Sequence, residues 1–214
     1  MKENLTELVF ILDKSGSMCG LESDTIGGFN SLIEKQKKEE GEAIVSTILF
    51  SDSINVLHDR VNISDVNKMT DKEYFTSGCT ALLDAVGTTI KNIIKVQNSL
   101  KDEDKPSKTM FIITTDGFEN ASKEYSYKQI KLLIEKQREA GWEFLFLGAN
   151  IDAECEAERL GILRANAVNY HCDKGGVAIN YQVLEETISE CRKFKRVSPN
   201  WKARIDKDYK SRKK

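Results

Sequence analysis

The sequence predicts an α/β fold: a doubly wound, mostly parallel sheet with helices on both faces and one antiparallel edge strand. Three observations predict it. Short apolar runs of strand type alternate with segments of helical period along nearly the whole chain, and this alternation builds parallel sheets joined by crossover helices. The runs 9–12 (VFIL) and 110–113 (MFII) are apolar without a break, as strands buried on both faces require. The runs 43–50 and 54–57 are separated only by Ser51-Asp52-Ser53, short enough for a hairpin and so for one antiparallel edge.

The elements follow in chain order. Residues 5–12 read as a buried strand. Residues 24–38 carry Ile26, Phe29, Leu32 and Ile33 at helical spacing. After the hairpin, residues 81–96 are helical through Leu82, Val86, Ile90, Ile93 and Ile94. Residues 101–107 are charged and contain Pro106, which marks a loop. The β-branched run 109–115 is a strand. Residues 127–140 are helical through Ile130, Leu133 and Ile134, and Gly141 is the natural stop. A strand at 143–147, a helix at 153–160, a short strand at 167–170 and a helix at 177–194 complete the pattern, the last through Tyr181, Leu184, Ile188 and Cys191. Asn150 and Asp152 suit the N-terminus of the helix at 153. The order is Rossmann-like, and such sheets bind ligands beyond the carboxyl ends of their strands, where the strand order reverses.

Length and composition set outer bounds. The 214 residues suit one domain with a sizeable core. With 40% hydrophobic and 31% charged residues and only two prolines, the composition excludes collagen-like and Pro-rich disordered classes. The net charge of -2 excludes a chain-wide basic field, but it hides an asymmetry. Residues 1–191 hold 21 basic and 32 acidic side chains, whereas residues 192–214 hold 11 and 2. The first apolar run is too short for a signal peptide, and no run reaches the roughly 20 residues of a membrane span. The five cysteines are odd in number, without CxxC spacing. A reduced, cytoplasmic setting with free thiols and no membrane contact is expected.

The chemistry collects where the strands end. The first strand runs into Asp13-Lys14-Ser15-Gly16-Ser17, the strand at 109–115 into Asp116-Gly117, and Ser77-Gly78-Cys79-Thr80 precedes the helix at 81. A parallel sheet brings these termini to one edge. Two aspartates at buried strand ends are costly unless their charge is paired, and they repel one another; a cation resolves both problems. Oxygen donors without His or thiolate point to Mg²⁺, with Mn²⁺ as the alternative and Ca²⁺ behind it. In DxSxS the loop turns back so that residues i, i+2 and i+4 face one point, with Gly16 making the turn cheap. Taken singly, each of these residues is an ordinary cap or turn former.

DKSGSM at 13–18, Thr80 in SGCTALLDAV and TTDGFEN at 114–120 resemble the three-part metal-ion-dependent adhesion site of von Willebrand factor type A domains, of the stand-alone intracellular bacterial or phage kind. The resemblance covers roughly residues 5–194. It implies a domain at 1–194 followed by a basic tail at 195–214, a divalent ion, and a partner protein that presents an Asp or Glu to the metal. Carried over residue by residue, it makes Asp13, Ser15, Ser17, Thr80 and Asp116 the metal set, with the hydroxyls binding directly and the aspartates partly through water. Many members have Gly-Gly-Thr-Pro where this chain has Gly78-Cys79-Thr80-Ala81; no ligand is lost, but the loop lacks the stiffening proline.

Other residues are candidates of lower rank. Cys19, Cys79, Asp52, Gly117 and Asn120 fall around the ligand loops as a candidate rim, although turn roles and packed thiols account for them equally simply. His58 and His171 read as loop or core details. Two further functions are open to the sequence. A Mg²⁺-dependent hydrolase or phosphatase is one; Ser17, Asp116 and His171 fall in hydrolase order, yet GxSxG, a phosphate loop and an aspartyl-phosphatase acid two residues after Asp13 are all missing. The chain is therefore expected not to be an enzyme. The other is binding of nucleic acid or an acidic partner through Lys193, Lys195, Arg196, Lys202 and Arg204, with Trp201 and Tyr209 interleaved for stacking; a solvated segment, or one folded back on the acidic body, is the simpler reading.

Overall fold

A computed structural model describes residues 1–212; Lys213 and Lys214 of the basic segment lie outside the described residues. The strands are β1 (Lys2–Asp13), β2 (Glu42–Phe50), β3 (Ile54–Asn62), β4 (Pro106–Thr115), β5 (Glu143–Gly148) and β6 (Ala167–Asn169). They form one sheet in the order β3-β2-β1-β4-β5-β6, with β3 antiparallel to β2 and every other pair parallel. The helices are α1 (Glu22–Gln36), α2 (Leu82–Ser99), α3 (Tyr127–Glu139), α4 (Ala153–Leu160), α5 (Lys174–Phe194) and α6 (Ala203–Ser211).

The pleat explains the two-sided core. Leu8, Phe10 and Leu12 of β1 point to one face, where Met110, Ile112, Phe29 of α1 and Leu184 of α5 join them. Val9 and Ile11 point to the other, with Phe111, Ile113, Phe146, Val86 of α2 and Ile130 of α3. Alternate residues serve opposite faces, so a strand covered on both sides must be apolar throughout. No described helix is long and apolar enough to cross a membrane.

The structure corrects several sequence expectations. β3 runs on to Asn62 rather than ending at 57, because a register shift and the left-handed Arg60 (φ 51°) send that side chain onto the buried Glu7. Glu7 is held from its other side by Gln97 Nε2 at 2.7 Å. β4 starts at Pro106, inside the expected loop; a strand's first residue needs no N–H for the ladder. α5 starts at Lys174, capped by Asp173.

The division at 194/195 is also corrected. Residues 195–211 are not a separate tail. Trp201 and Ile205 enter the core on the α1/α5 face, and α6 packs on α5 and β6. The Trp201 indole donates to the Ala165 carbonyl at 2.9 Å.

Candidate metal centre

The strand order reverses between β1 and β4. In register Leu12 lies beside Thr114, so Asp13 and Thr115 are neighbours and Asp116 is the first residue beyond. This is the crevice where doubly wound sheets place ligands.

Three loops build the site there. In the first, Asp13 Oδ1 accepts the Ser15 amide at 2.7 Å and Oδ2 accepts the Thr115 hydroxyl at 2.6 Å. A 3-10 turn at Gly16–Met18 then brings Ser17 back, its Oγ 3.1 Å from Ser15 Oγ and 2.5 Å from Asp116 Oδ1, to which it donates. The second loop is stitched to the first by Gly16 N–H to Gly78 O at 3.1 Å and Ser77 N–H to Lys14 O at 2.9 Å. Thr80 closes the set. A Cβ built on Gly117 would stand 3.6 Å from Ser17 Oγ and 3.8 Å from Thr80 Oγ1, so both hydroxyls converge beside Asp116-Gly117.

The five residues expected as ligands, Asp13, Ser15, Ser17, Thr80 and Asp116, are brought close together here. Among them Asp13, Ser15, Thr80 and Asp116 are 1–3% exposed. Burial pushes the Asp13 carboxyl above its ordinary range; the Thr115 hydroxyl and Ser15 amide oppose this, and the Asp116 charge adds to it. Among the described residues neither aspartate forms an ion pair. Two buried carboxylates side by side without a cationic partner are an unbalanced charge that a divalent ion would balance, and the hydroxyls supply the remaining hard donors. Among the described residues no group of three or more His, Cys, Asp or Glu is placed to hold a metal ion.

The expected rim divides. Asn120 is structural: its Oδ1 accepts the Thr80 amide at 2.9 Å and its amide donates to Thr80 O at 3.0 Å. Gly117 lines the site itself. Asp52 lies against Gly78, beside the second loop. Cys19 and Cys79 are exposed free thiols on the first two loops. The conformational role expected of Gly16 belongs instead to Gly78: Gly16 has no positive φ, whereas Gly78 has φ 75°.

The basic candidates lie elsewhere. Lys193 pairs with Glu39, and Lys195 takes the left-handed cap position of α5 (φ 57°). The neighbouring Arg192 binds carbonyls of Gln36 and Gly41, just before β2, which places this end of α5 at the sheet edge opposite the metal loops. Arg196 forms no ion pair among the described residues. Lys202 binds Glu154 and the Ala167 carbonyl, and Arg204 binds Glu186.

Several residues outside the expected ligand set and rim also shape the site. Thr115 was legible in principle, since aligning the two apolar runs places it beside Asp13. Glu119 braces α2, whose N-cap Ala81 has no capping side chain. Its Oε2 accepts the Leu83 amide at 2.9 Å, and its Oε1 accepts the amides of Ala121 and Ser122. Tyr74 donates its hydroxyl to Asp13 O at 2.5 Å from the long connection after β3. Cys172 Sγ, in the His171-Cys172-Asp173 segment that reads as a loop detail, lies 3.5 Å from Asp116 Oδ2. Burial and the Asp116 charge push its thiol up to about 12.

No family model matches the chain, and no curated protein matches it in sequence. Solved structures do share its fold. It is similar to the manganese-loaded TRAP protein of Plasmodium vivax, at 15% identity and TM-score 0.59, over 84% of this chain and 73% of that one. It is similar to proximal thread matrix protein 1 of the mussel byssus, solved with a zinc-occupied MIDAS motif, at 13% identity and TM-score 0.59, over 87% and 46%. A von Willebrand factor type A structure from Catenulispora acidiphila gives 13% identity and TM-score 0.57, over 87% and 42%. At such identities the likeness shows the fold alone. The chain spans less than half the length of the mussel and Catenulispora chains.

Proposed function

We propose that this von Willebrand factor type A fold is a divalent-cation-dependent protein-binding module. One observation carries the reading: two buried carboxylates without an ion-pair partner and three hydroxyls converge at the crevice between β1 and β4. Mg²⁺ suits these donors, with Mn²⁺ the alternative. The manganese and zinc held by two proteins of the same fold support a divalent ion. When bound, the ion supplies positive charge toward an Asp or Glu of the partner. Asp13 and Asp116 supply the opposing charge, and Ser15, Ser17 and Thr80 supply neutral oxygens. The Thr115 hydroxyl and Ser15 amide fix both Asp13 oxygens before any ligand arrives, which lowers the ordering cost of binding.

We read the site as non-catalytic and the protein as cytoplasmic, its five cysteines being unpaired. Two observations support binding over hydrolysis. The Ser17 hydroxyl donates to Asp116 rather than to a histidine, and His171 lies tilted against the Tyr209 ring at 4.7 Å, its Nε2 meeting the Tyr209 carbonyl. Nucleic-acid stacking is disfavoured by the burial of Trp201 and the pairing of Lys202 and Arg204.

Calorimetric titration of Mg²⁺ and Mn²⁺ into the full chain and Asp13→Ala tests the reading. One cation site is expected in the wild type and none in the variant. A cation at about a hundredfold excess over Kd should add about 2.7 kcal/mol of stability to the wild type only. Affinity purification run in parallel, with Mg²⁺ and with chelator, should yield a partner that both chelator and Asp13→Ala remove. A partner retained under either condition would overturn the proposal.

A further inference from the structure

A groove of about 350 Å³ opens beside the first two site loops, between the start of edge strand β3 and residues 72–77. Its lining is unusual for a solvated surface. Val56 and Phe75, two of the few large apolar side chains left in water, are 58% and 52% exposed and face this one groove. Lys14 lays its ammonium over the Phe75 ring at 4.2 Å, and Lys72 stands on the same wall. Among the described residues neither lysine forms an ion pair. The acid on the wall, Glu73, is turned away into the Thr70 amide and hydroxyl at 2.9 and 2.7 Å. The groove therefore offers one exposed cation, Lys72, and two apolar side chains; Lys14 is 4% exposed and lies behind the Phe75 ring, within reach of the Asp52 charge.

Its position ties it to the metal centre. Lys14 lies between Asp13 and Ser15, and its carbonyl accepts the Ser77 amide. Ser77 lines the groove three residues before Thr80. At roughly 3.3–3.6 Å per extended residue, a few residues of a bound chain reach from the metal set into the groove.

We propose that the groove receives the residues flanking the metal-bound acid of the same partner. The partner segment is extended and acidic, and it carries an aromatic or branched aliphatic side chain within a few residues of the Asp or Glu at the metal. The apolar side chain packs on Val56 and Phe75, and a second carboxylate meets Lys72. This inference rests on the cation-binding reading and adds the partner's chemistry to it. Exposed apolar side chains rimmed by charge mark interaction sites, and the rim charge sets which partner is accepted.

Random peptides displayed on phage, selected on the full chain with Mn²⁺, test it. Enriched peptides are expected to pair an acidic residue with a nearby aromatic or aliphatic one and a second acid. A synthetic peptide of that consensus should bind Phe75→Ser about tenfold more weakly than the wild type, while calorimetric Mn²⁺ affinity stays unchanged in the variant. Lys72→Glu should remove the preference for the second acid. Peptides with an acid but no apolar preference, equal affinity for Phe75→Ser, or no enrichment at all would each overturn the groove assignment. The two readings fail separately: Mn²⁺ bound in calorimetry without apolar enrichment sinks the groove alone, whereas no Mn²⁺ bound sinks the metal centre.

Discussion

Gly78 is the residue on which the geometry of the second loop turns. Its φ of 75° is cheap for glycine and strained for any other residue. A Cβ there would also stand 2.7 Å from Asp52 Oδ1. Its carbonyl takes the Gly16 amide, so displacing it disturbs both loops that carry the converging hydroxyls. Gly78→Ala should cost about 1–2 kcal/mol in urea unfolding and weaken calorimetric Mg²⁺ affinity. Gly16→Ala, whose Cβ would meet Gly78 O at an ordinary 3.5 Å, should stay within about 0.5 kcal/mol of wild type. The contrast is instructive about reading residues from a sequence. Asp13, Ser15, Ser17, Thr80 and Asp116 were legible because each follows directly on a strand or precedes a helix, and topology does the rest. Which glycine bears the strained turn was not legible, because two loops distant in sequence set its φ. The approach of Cys172 to Asp116 is hidden for the same reason, since it spans 56 positions of chain.

At the scale of elements, the first turn of α2 and the β2–β3 hairpin each hang on a polar side chain placed by tertiary structure. α2 lacks a cap of its own, and Glu119 supplies one from the loop after β4. Glu119→Ala should therefore cost about 1–2 kcal/mol and loosen Thr80, next to that helix. Weaker Mg²⁺ binding in calorimetry would report the second effect, and unchanged binding would show that the two loops are independent. In the hairpin, His58 bonds Thr47 Oγ1 at 3.0 Å through Nδ1 and stacks on Phe29 of α1. Burial holds its imidazole below the usual 6.5, against the opposing pull of the Asn67 backbone and the Glu73 charge. The folded state then binds fewer protons than the unfolded one just below that value, so stability falls as pH drops through 6.5. Urea unfolding at pH 7.5 and 5.5 should show a steeper loss in wild type than in His58→Gln; equal losses would place the slope elsewhere. Most elements are legible in the sequence, because apolar period is a local property. The length of β3 is not, because the reason for its extension is the buried Glu7, which Arg60 reaches from the edge strand.

For the whole molecule, the net charge of -2 is a cancellation enforced by packing. The basic segment is fastened to the acidic body: Lys193 pairs with Glu39, Lys202 with Glu154, Arg204 with Glu186 and Arg212 with Asp173. These pairs are largely at the surface and worth about 0–1 kcal/mol each, too little to hold a helix by themselves. What holds α6 is apolar. Val197, Trp201 and Ile205 recur every four residues, a stripe that was readable but masked by the charge around it. Trp201 and Ile205 are buried, and the Trp201 N–H is satisfied by Ala165 O. Two forces thus make opposite forecasts. If charge held the segment, 0.5 M salt would release it, since the Debye length then falls to only a few ångströms, and Trp201→Ala would matter little. If burial holds it, salt should leave the melting temperature nearly unchanged and Trp201→Ala should cost about 3–5 kcal/mol. The magnitudes favour burial. Truncation after residue 196 should accordingly lower the melting temperature sharply in calorimetry, whereas a melting temperature unmoved by truncation would mean the helix is a passenger on the sheet.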